Sequence, residues 1–509
     1  MTCYGDSNGR PDYFNPFSYR DPAPLCRVME NRQGSKFMRR TKIVCTVGPA
    51  SADEAVLEKM ITSGMNVARL NFSHGDHASH QQLIALIRRV AERLQQPVAI
   101  LQDLCGPKIR LGQLPEQGIR LHQGDAVCLC GSAQAQGDDV PVDYPRLAED
   151  VSVGDSIMLA DGLMELRVAR IEAPKVYCEV VSGGIAYSRK GVNMPSSDLS
   201  IPAFTDKDRD DLRFGLEQGV DIVALSFVRS AADLEEIRAM LQPVEQRPQL
   251  VAKIEKPQAV ARIEGILDVV DAVMIARGDL GVEVPLEQVP VLQKQLIRKA
   301  RLKGKAVITA TQMLSSMVSN PRPTRAEAAD VANAIYDGTD ALMLSDETAS
   351  GDYPVEATRM LDRIARSTEP HLDSALSLIQ EDATDPPQVS WAVGRAAVTL
   401  AEDLRASAIV AYTQSGFTAS CVARFRPACS VVGLTTSEQR CRQMNLLWGV
   451  IPVKIDPCKS TDEMFERARE EVMARHLSST GQRIVVTAGT PLWQTGSTNL
   501  LKVIELSDA

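Results

Sequence analysis

The sequence lacks the patterns that mark several classes of protein. No apolar stretch approaches the ~20 residues that a membrane-spanning helix needs, so no membrane association is expected. Residues 1–37 do not have the charged-then-apolar order of a secretory signal. A net charge of −9 argues against broad binding to nucleic acid or anionic membranes. These absences favour a cytoplasmic protein.

A metal-binding or disulfide arrangement of cysteines is also missing. The chain has 11 cysteines, an odd number, scattered along its length. The closest two, Cys128 and Cys130, do not form a CxxC pair, and no cluster of histidines suggests zinc. We therefore expect reduced thiols, as is usual in a cytosol.

What the sequence does contain is a regular alternation of short apolar runs and longer amphipathic stretches. The runs, each predicted to be a strand, are 42–47, 66–70, 98–103, 221–226, 250–255, 271–276, 306–310 and 340–345. The stretches between them that predict helices include 53–63, 76–95, 231–241 and 286–303. Eight strands with intervening helices predict an α/β fold, a (β/α)8 TIM barrel, whose active site lies at the C-terminal strand ends.

The remaining segments predict further domains. Residues 1–40 are predicted to be a flexible N-terminal leader, because the segment shows no periodicity. Residues 107–200 are rich in Gly and Asp, with short β-like runs, and predict a small all-β domain inserted into the barrel as a lid. The barrel would then comprise 41–106 and 201–385, and a C-terminal α/β domain would comprise 386–509.

Charged residues interrupt two of the apolar runs. Lys253 and Glu255 are two residues apart in VAKIE, and such side chains point to the same face of a strand. The run AVMIA breaks into Arg277, Gly278 and Asp279. Charges are rarely placed in such runs unless they are paired or bind a metal. Two acids and a lysine at strand ends are suited to hold a divalent cation and to stabilise a transferring anion; a structural salt bridge is the alternative.

Polar or charged residues follow seven of the eight predicted strands. They are Arg69 and Asn71, Asp103, Ser226, Lys253 and Glu255, Arg277 and Asp279, Thr311, and Ser345 and Glu347. Because these ends all lie at one pole of a barrel, a shared site explains them better than ordinary surface exposure.

Several motifs occur in an order that resembles the pyruvate kinases. They include GMNVARLNFSHG, KGVNMP, VAKIEKPQAV, MIARGDLGVE, ITATQMLSSM and NPRPTRAEAADVANAIYDGTDALMLSDETA. The resemblance implies a glycolytic phosphotransferase that transfers the phosphoryl group of phosphoenolpyruvate to ADP, giving pyruvate and ATP. It also implies a cytoplasmic homotetramer whose domain 386–509 is regulatory.

The resemblance assigns roles to the residues at the strand ends. Glu255 and Asp279 would hold Mg²⁺ or Mn²⁺, cations that prefer oxygen ligands. Lys253 would stabilise charge on the phosphoryl group in flight and on the enolate. Thr311, with Ser345 beside it, would relay a proton to the enolate through water, the alternative for both being polar capping of a strand end.

Further residues are expected to contact the substrates. The phosphoenolpyruvate side comprises Arg69, Lys253, Gly278, Asp279, Thr311 and Ser345, of which Arg69 is also catalytic. The nucleotide side comprises Asn71, Ser73, His74, Arg110 and Lys190. Gly278 suits an anion site because the absence of a side chain lets backbone amides approach closely. Thr324 and Glu327 differ in kind, since T-R-A-E has the spacing of a capping box and predicts only a helix start.

The sequence departs from the family after the third strand. Many members read D-T-K-G-P-E-I-R there and require K⁺, whereas residues 103–110 of this chain read D-L-C-G-P-K-I-R. Leu104 replaces a threonine ligand, and Lys108 replaces a glutamate. The residues left in the monovalent-ion region are Asn71, Ser73 and Asp103. We expect that K⁺ is not required, because the ammonium of Lys108 supplies the positive charge.

A second phosphate site is predicted in the C-terminal domain. Thr413, Ser415, Gly416 and Thr418 lie between a predicted strand and a predicted helix, where hydroxyls and free amides favour a phosphorylated effector. A hydroxyl-capped helix start is the alternative. The loop 489–496 does not closely match the family's fructose bisphosphate loop, so a phosphorylated hexose, a pentose phosphate or AMP is favoured.

Two other functions fit parts of the pattern. A Mg²⁺-dependent aldolase or lyase acting on a pyruvate enolate also uses acids at strand ends, but has no need of the nucleotide side. A non-catalytic sensor that keeps the fold would bind only an effector, but the matched chemical residues are present here. ADP-dependent consumption of phosphoenolpyruvate separates these possibilities.

Overall fold

The computed structural model describes residues 38–133, 135–137, 139–372, 388–491 and 498–507. The predicted leader lies outside the described residues except for its last three, and part of the loop 489–496 does too. Arg39 donates from Nε to Asp362 at 2.9 Å, and the amide of Arg40 donates to Glu369 at 2.8 Å. The described chain therefore contacts the barrel before residue 41.

Eight parallel strands close into a barrel, as predicted. They are Lys42–Thr46, Val67–Asn71, Ala99–Asp103, Ile222–Leu225, Gln249–Ile254, Ala272–Ala276, Ala306–Ala310 and Ala341–Leu344. Each strand pairs with its neighbours along the chain, and the first pairs with the eighth, with Val44 opposite Met343. The third pairs with the fourth across the long insertion, with Ala224 opposite Asp103. The predicted fold class is confirmed.

The barrel strands are apolar on both faces because both faces are covered. Alternate residues such as Val44, Leu101 and Met274 fill the interior. Their neighbours, such as Ile43 and Ile275, pack outward against the helices. This is why the strands appear in the sequence as continuous apolar runs instead of alternating ones.

Helices cover the outside of the barrel. Its α-helices are Glu54–Thr62, His77–Arg93, Asp206–Glu217, Glu235–Leu241, Pro257–Ala261, Ile263–Val269, Arg277–Glu283, Val289–Leu302, Arg325–Asp337, Asp346–Ala349 and Pro354–Thr368. Short 3₁₀ turns span Ala231–Leu234, Leu286–Gln288, Ser315–Val318 and Glu369–His371. The predicted capping box is confirmed: the Thr324 hydroxyl accepts the Glu327 amide, and the Glu327 carboxylate accepts the Thr324 amide at 2.8 Å.

The long insertion folds mainly into strands around its own core. The strands are Ile119–Leu121, Ala126–Gly131, Val140–Val142, Ser156–Leu159, Met164–Glu172, Lys175–Ser182, Gly184–Ala186 and Val192–Asn193, with one helix, Leu147–Asp150. They form a six-stranded and a two-stranded sheet over a core that includes Leu129, Ile157 and Leu166. The strands Val140–Val142, Gly184–Ala186 and Val192–Asn193 were not predicted, because two or three residues are too few to show alternation.

The C-terminal part is an α/β domain, again as predicted. Its sheet runs in the order Val450–Lys454, Ser430–Thr435, Ala408–Tyr412, Arg483–Ala488 and Leu500–Glu505, the last strand antiparallel. Its α-helices are Val389–Asp403, Phe417–Ala423, Glu438–Gln443 and Thr461–Ala474, and a 3₁₀ turn spans Met444–Leu446. Lys42 at the base of the barrel donates from Nζ to the carbonyl of Val450 at 2.6 Å, joining the two parts. No helix in the described ranges has the length and apolarity to cross a bilayer.

Candidate active site

Two cations flank one buried carboxylate at the C-terminal ends of the barrel strands. Arg69 donates from Nε to Oδ2 of Asp103 at 2.7 Å and from Nη1 to the Thr46 hydroxyl at 2.8 Å. Lys253 places Nζ 3.3 Å from Oδ1 of the same carboxylate. Asp103 is 1% exposed, and Arg69 and Lys253 are each 9% exposed. The barrel register brings these residues together, since they come from three different strands.

Lys253 is the centre of the cluster. Its Nζ lies 2.9 Å from Oε1 of Glu255, as the two-residue spacing along a strand predicts. It also donates to the hydroxyl of Ser226 at 2.7 Å, and that hydroxyl donates in turn to the carbonyl of Leu104 at 2.8 Å. Ser226 was noted only as a strand-end residue; the contact shows that it orients the ammonium.

The charges in this cluster support one another. Burial opposes ionisation of Asp103, but the attraction of Lys253 and Arg69 outweighs it and lowers the pKa of this carboxyl. Burial alone would lower the pKa of Lys253, yet Asp103, Glu255 and Asp279 together raise it. Asp103 is therefore ionised and Lys253 charged at neutral pH.

Glu255 and Asp279 make an incompletely compensated acidic pair. Burial raises the pKa of Glu255, and repulsion from Asp279 adds to the rise while Lys253 opposes it. Glu255 is 1% exposed and accepts the Phe227 amide at 2.8 Å, whereas Asp279 lies exposed at the cleft. The described residues contain no group of three or more His, Cys, Asp or Glu arranged for a metal. Two oxygen donors that repel each other fit Mg²⁺, which takes one or two carboxylates and leaves other positions to substrate and water.

Thr311 is held in an unusual backbone conformation. Its φ is +68°, and that of Gln312 is +54°, whereas β-branched residues rarely adopt positive φ. Such a conformation costs on the order of 1–3 kcal/mol and persists only where the surroundings impose it. The Thr311 hydroxyl accepts the Gly278 amide at 2.6 Å and donates to the Ala310 carbonyl at 2.6 Å. The structure thus brings Thr311 to the first turn of the helix Arg277–Glu283, which carries Asp279.

Ser345 and Glu347 follow the last strand, and Glu347 contacts the neighbouring loops. The carboxylate of Glu347 accepts the Ser345 amide at 2.7 Å and the Leu314 amide at 3.0 Å. Glu347 is 2% exposed, so it braces the loops after the seventh and eighth strands. Its position at a strand end thus has a structural explanation.

The loop with Asn71, Ser73 and His74 is rigidly braced. The side chain of Asn71 accepts the Ser73 amide at 3.1 Å, and His80 bonds through Nε2 to the carbonyl of His74 at 2.9 Å. The His80 ring stacks on Phe72 with centroids 4.0 Å apart. His80 was not predicted, although its regular spacing from His74 and His77 is visible in the sequence.

A cleft of about 300 Å³ lies beside the cluster, between the inserted domain and the barrel. Lys108, Arg110 and Lys190 line it from the inserted side and Asp279 from the barrel. Its other basic residues, not predicted, are Arg189, Arg229 and Lys256. Such a concentration of positive charge attracts anions. The signal for Lys256 was present, because it directly follows Glu255 in the VAKIEK motif.

The departures from the family pattern lie in different environments. Leu104 is 1% exposed and packs in the apolar layer between strands and helices, so it offers no oxygen to a cation. Lys108 is exposed, lines the cleft and forms no hydrogen bond or ion pair within the described ranges. Asp103, expected near a monovalent ion, has its charge compensated by Arg69 and Lys253.

The predicted effector residues lie together at the start of the helix Phe417–Ala423. The hydroxyl of Thr413 accepts the Gly416 amide at 2.9 Å, and that of Thr418 bonds to Thr498 at 2.9 Å. Both threonines are buried, and Gly416 has a φ of +88° that suits glycine. Two of the hydroxyls are thus already bonded within the protein, while Ser415 is partly exposed.

Comparisons with known proteins point to one family. A family model described as pyruvate kinase, barrel domain, matches residues 38–358, and one described as pyruvate kinase, alpha/beta domain, matches residues 391–504. The chain is 46% identical over 474 residues to a pyruvate kinase of Geobacillus stearothermophilus, covering 92% of this chain and 81% of the relative. Identity to a pyruvate kinase of Sporosarcina psychrophila is 44% over 475 residues, with coverages of 92% and 81%. For that of Staphylococcus aureus strain MRSA252 it is 45% over 474 residues, with the same coverages.

Proposed function

The chain belongs to the pyruvate kinase family, and we propose that the buried cluster around Lys253 is where its phosphotransferase reaction takes place. That reaction transfers the phosphoryl group of phosphoenolpyruvate to ADP and gives pyruvate and ATP, a step of glycolysis. The observation that carries the assignment to this site is the contact of Lys253 with both Asp103 and Glu255 at the barrel's C-terminal pole.

Transfer of a phosphoryl group requires positioned cations more than covalent chemistry. Lys253 and Arg69 are held on a shared carboxylate, so neither has to reorganise as charge develops. Lys253 would stabilise the equatorial oxygens of the moving group and then the enolate oxygen that remains. Arg110 would contact the phosphate from the inserted domain, and the missing side chain of Gly278 would leave its backbone accessible to the substrate.

The metal expected for the family would be held by Glu255 and Asp279. A bound Mg²⁺ or Mn²⁺ would offset the repulsion that raises the pKa of Glu255 and would supply Lewis-acid stabilisation of phosphate and enolate oxygens. Lys253 also contacts Glu255, so the ammonium and the metal site share one carboxylate. Substitution at either position should therefore alter the affinity at the other.

Thr311 and Ser345 would take part in the second half of the reaction. After the bond between phosphorus and the enol oxygen breaks, the enolate regains a carbonyl as its C3 takes up a proton. A hydroxyl of ordinary acidity relays a proton through water better than it supplies one. The Thr311 proton points to the Ala310 carbonyl at 2.6 Å, so the hydroxyl would rotate to serve this relay.

The nucleotide would bind on the opposite side of the cleft. Asn71, Ser73 and His74 would contact it from a braced loop, and Lys190 lines the cleft from the inserted domain. Asn193 of that domain donates to Glu283 of the barrel at 2.8 Å, which shows how the two parts meet. Closure of the inserted domain would exclude water, which competes with ADP for the phosphoryl group.

The monovalent cation of many family members would not be required here. Leu104 gives no ligand, and the ammonium of Lys108, which has no ion-pair partner among the described residues, contributes positive charge at the cleft. Turnover in a buffer whose sole monovalent cation is tetramethylammonium tests this proposal. We expect the rate to change less than about twofold on adding K⁺, a factor worth roughly 0.4 kcal/mol; strong activation would contradict it.

Regulation and assembly extend the proposal. A phosphorylated effector would bind beside Ser415 and Gly416, with Thr413 and Thr418 shaping the loop through their internal bonds. Family membership favours a homotetramer and a cytoplasmic location. Light scattering tests the homotetramer. Turnover at low phosphoenolpyruvate, measured with and without candidate sugar phosphates or AMP, tests the effector.

A direct assay tests the placement of the reaction. Pyruvate formation from phosphoenolpyruvate should depend on both ADP and Mg²⁺, and Arg69→Gln should lower kcat/KM by about 10²-fold or more. Arg89→Gln, which removes an exposed arginine paired with Glu54, is the matched control and should leave turnover unchanged. Activity that survives Arg69→Gln would contradict the placement, whereas release of phosphate without ATP would indicate a different acceptor.

A further inference from the structure

The conformation of Thr311 requires a restraint, and the structure provides one in Arg277, a strand-end residue to which no role was assigned from the sequence. Arg277 donates from Nη2 to the backbone carbonyl of Thr311 at 2.9 Å. The same nitrogen lies 2.9 Å from the sulfur of Met313, two residues further on. The guanidinium therefore contacts the turn formed by Thr311 and Gln312, the two residues with positive φ, at its first residue and just after its second.

Arg277 is itself fixed in place. Asp330, on the helix Arg325–Asp337, accepts Nη1 at 2.8 Å and approaches Nη2 to 2.7 Å. A carboxylate that contacts both terminal nitrogens of a planar guanidinium sets its orientation as well as its position. The Arg277 side chain is 11% exposed and that of Asp330 38%, so the carboxylate holds the guanidinium from the outer side.

The adjacent residue completes the arrangement from the other side of Thr311. The Gly278 amide donates to the Thr311 hydroxyl at 2.6 Å, and a Cβ on Gly278 would meet the Thr311 side chain at 3.4 Å. Thr311 is thus held at its carbonyl by one residue and at its hydroxyl by the next. Asp279 follows directly, so the turn and the metal carboxylate are tied to one short segment.

We propose that Arg277 is a positioning residue, which imposes the left-handed conformation of Thr311 and so aims its hydroxyl for protonation of the enolate. The inference rests on the role proposed above for Thr311. Arg277 acts through the Thr311 carbonyl and does not itself contact substrate. Without its fork, the turn would relax toward ordinary backbone angles and move the hydroxyl, and a displacement of about 1 Å costs a reaction on the order of 10²-fold.

The test follows the protonation step alone. Run in reverse, that step removes a methyl proton from pyruvate, so it is measured by NMR as exchange of the pyruvate methyl group in D₂O with Mg²⁺ and inorganic phosphate present. We expect Arg277→Gln to slow exchange by roughly 10- to 100-fold. The KM for ADP should change less than about twofold, because the contacts of Arg277 described above do not involve the loop that carries Ser73 and His74.

The matched control is Arg247→Gln. Arg247 also forms a two-pronged pair with an aspartate, Asp271, with both bonds at 2.9 Å. That pair precedes the strands Gln249–Ile254 and Ala272–Ala276, at the opposite pole of the barrel. We expect this variant to exchange methyl protons at the wild-type rate. Asp330→Asn removes only the charge that orients Arg277, at a partly exposed position. It should also slow methyl exchange, but by a smaller factor than Arg277→Gln.

A double substitution separates the outcomes. In a Thr311→Ala background, Arg277→Gln should slow exchange further by less than about twofold, because residues that act as one unit are not additive. Equal effects of Arg277→Gln with and without Thr311 would overturn the inference while leaving the proposed function intact. Wild-type exchange in Arg277→Gln, or in Asp330→Asn if the former does not fold, would also overturn it. Wild-type exchange in Thr311→Ala alone would instead refute the role of Thr311, and the inference with it.

Discussion

Lys253→Met gives the sharpest test of the buried cluster. Methionine keeps an unbranched chain of similar length but removes the ammonium, which contacts Glu255 at 2.9 Å and the Ser226 hydroxyl at 2.7 Å. Loss of one preorganised donor to developing charge costs about 10²- to 10³-fold in kcat. Because Lys253 is assigned to both the moving phosphoryl group and the enolate, we expect a loss of about 10³-fold or more.

The same substitution leaves two buried carboxylates without their shared cation. Removing one partner of a buried ion pair costs about 3–5 kcal/mol. The pKa of Glu255 is already raised by burial, and it should rise further without Lys253. A carboxyl whose folded pKa exceeds its unfolded value, about 4.3, stabilises the fold at lower pH, and this stability is lost as pH rises through the folded pKa. The deficit in the free energy of unfolding should therefore be small near pH 4 and grow toward pH 8.

Three measurements check this prediction. Pyruvate formation gives kcat, and urea unfolding at several pH values gives the free energy of unfolding. Mn²⁺ binding, followed by electron paramagnetic resonance, should persist with an altered affinity, because both carboxylates remain but Glu255 loses its contact with the ammonium. Lys303→Met breaks an exposed pair with Asp268 at 2.8 Å and is the control, expected to cost less than about 1 kcal/mol at every pH. Near-normal turnover, or a deficit independent of pH, would refute the reasoning.

Three further predictions concern other parts of the chain. Burial lowers the pKa of Lys42 to about 7, so the unfolded chain binds this proton more tightly and the free energy of unfolding should rise with pH from about 7 to 10. In urea titrations Lys42→Met should abolish that rise in the free energy of unfolding. If the rise persists in this variant, groups other than Lys42 cause it. Thr324→Ala should cost about 1 kcal/mol in the same assay by removing a helix cap, without changing KM for either substrate. In the double variant Leu104→Thr with Lys108→Glu, K⁺ should raise turnover by roughly tenfold or more, since a lost charge contact is worth about 1.5 kcal/mol. K⁺-independent turnover in this variant would show that Lys108 does not replace the ion.

Continuous apolar runs made it possible to predict the barrel from the sequence. Strands that are covered on both faces must be apolar throughout, so they stand out from amphipathic helices and from turns. The predicted run 250–255 and the observed strand Gln249–Ile254 differ by one residue at each end. The strand Val192–Asn193, by contrast, exists because it pairs with Met158 and Leu159, and two residues carry no periodic signal.

Local rules also predicted features that depend on few residues. The spacing of Thr324 and Glu327 indicated a capping box, and the spacing of Lys253 and Glu255 indicated a shared face; both contacts are present. Such features follow from backbone geometry over two or three residues, so distant contacts do not alter them. The same reasoning could not show that Glu347 braces a loop, because its partner Leu314 lies far away in the sequence.

The order of the strands, the pole at which charged residues collect and the motifs that indicate the family could all be predicted from the sequence. These depend on periodicity and on side chains close along the chain. Which polar groups contact one another could be learned only from the folded structure. Asp103 lies between Arg69 and Lys253, and Arg277 donates to the carbonyl of Thr311. Those contacts join residues on different strands, and barrel closure brings their ends together at one pole. A buried charge needs a counter-charge within a few ångströms, and the packing of distant segments determines which residue supplies that counter-charge.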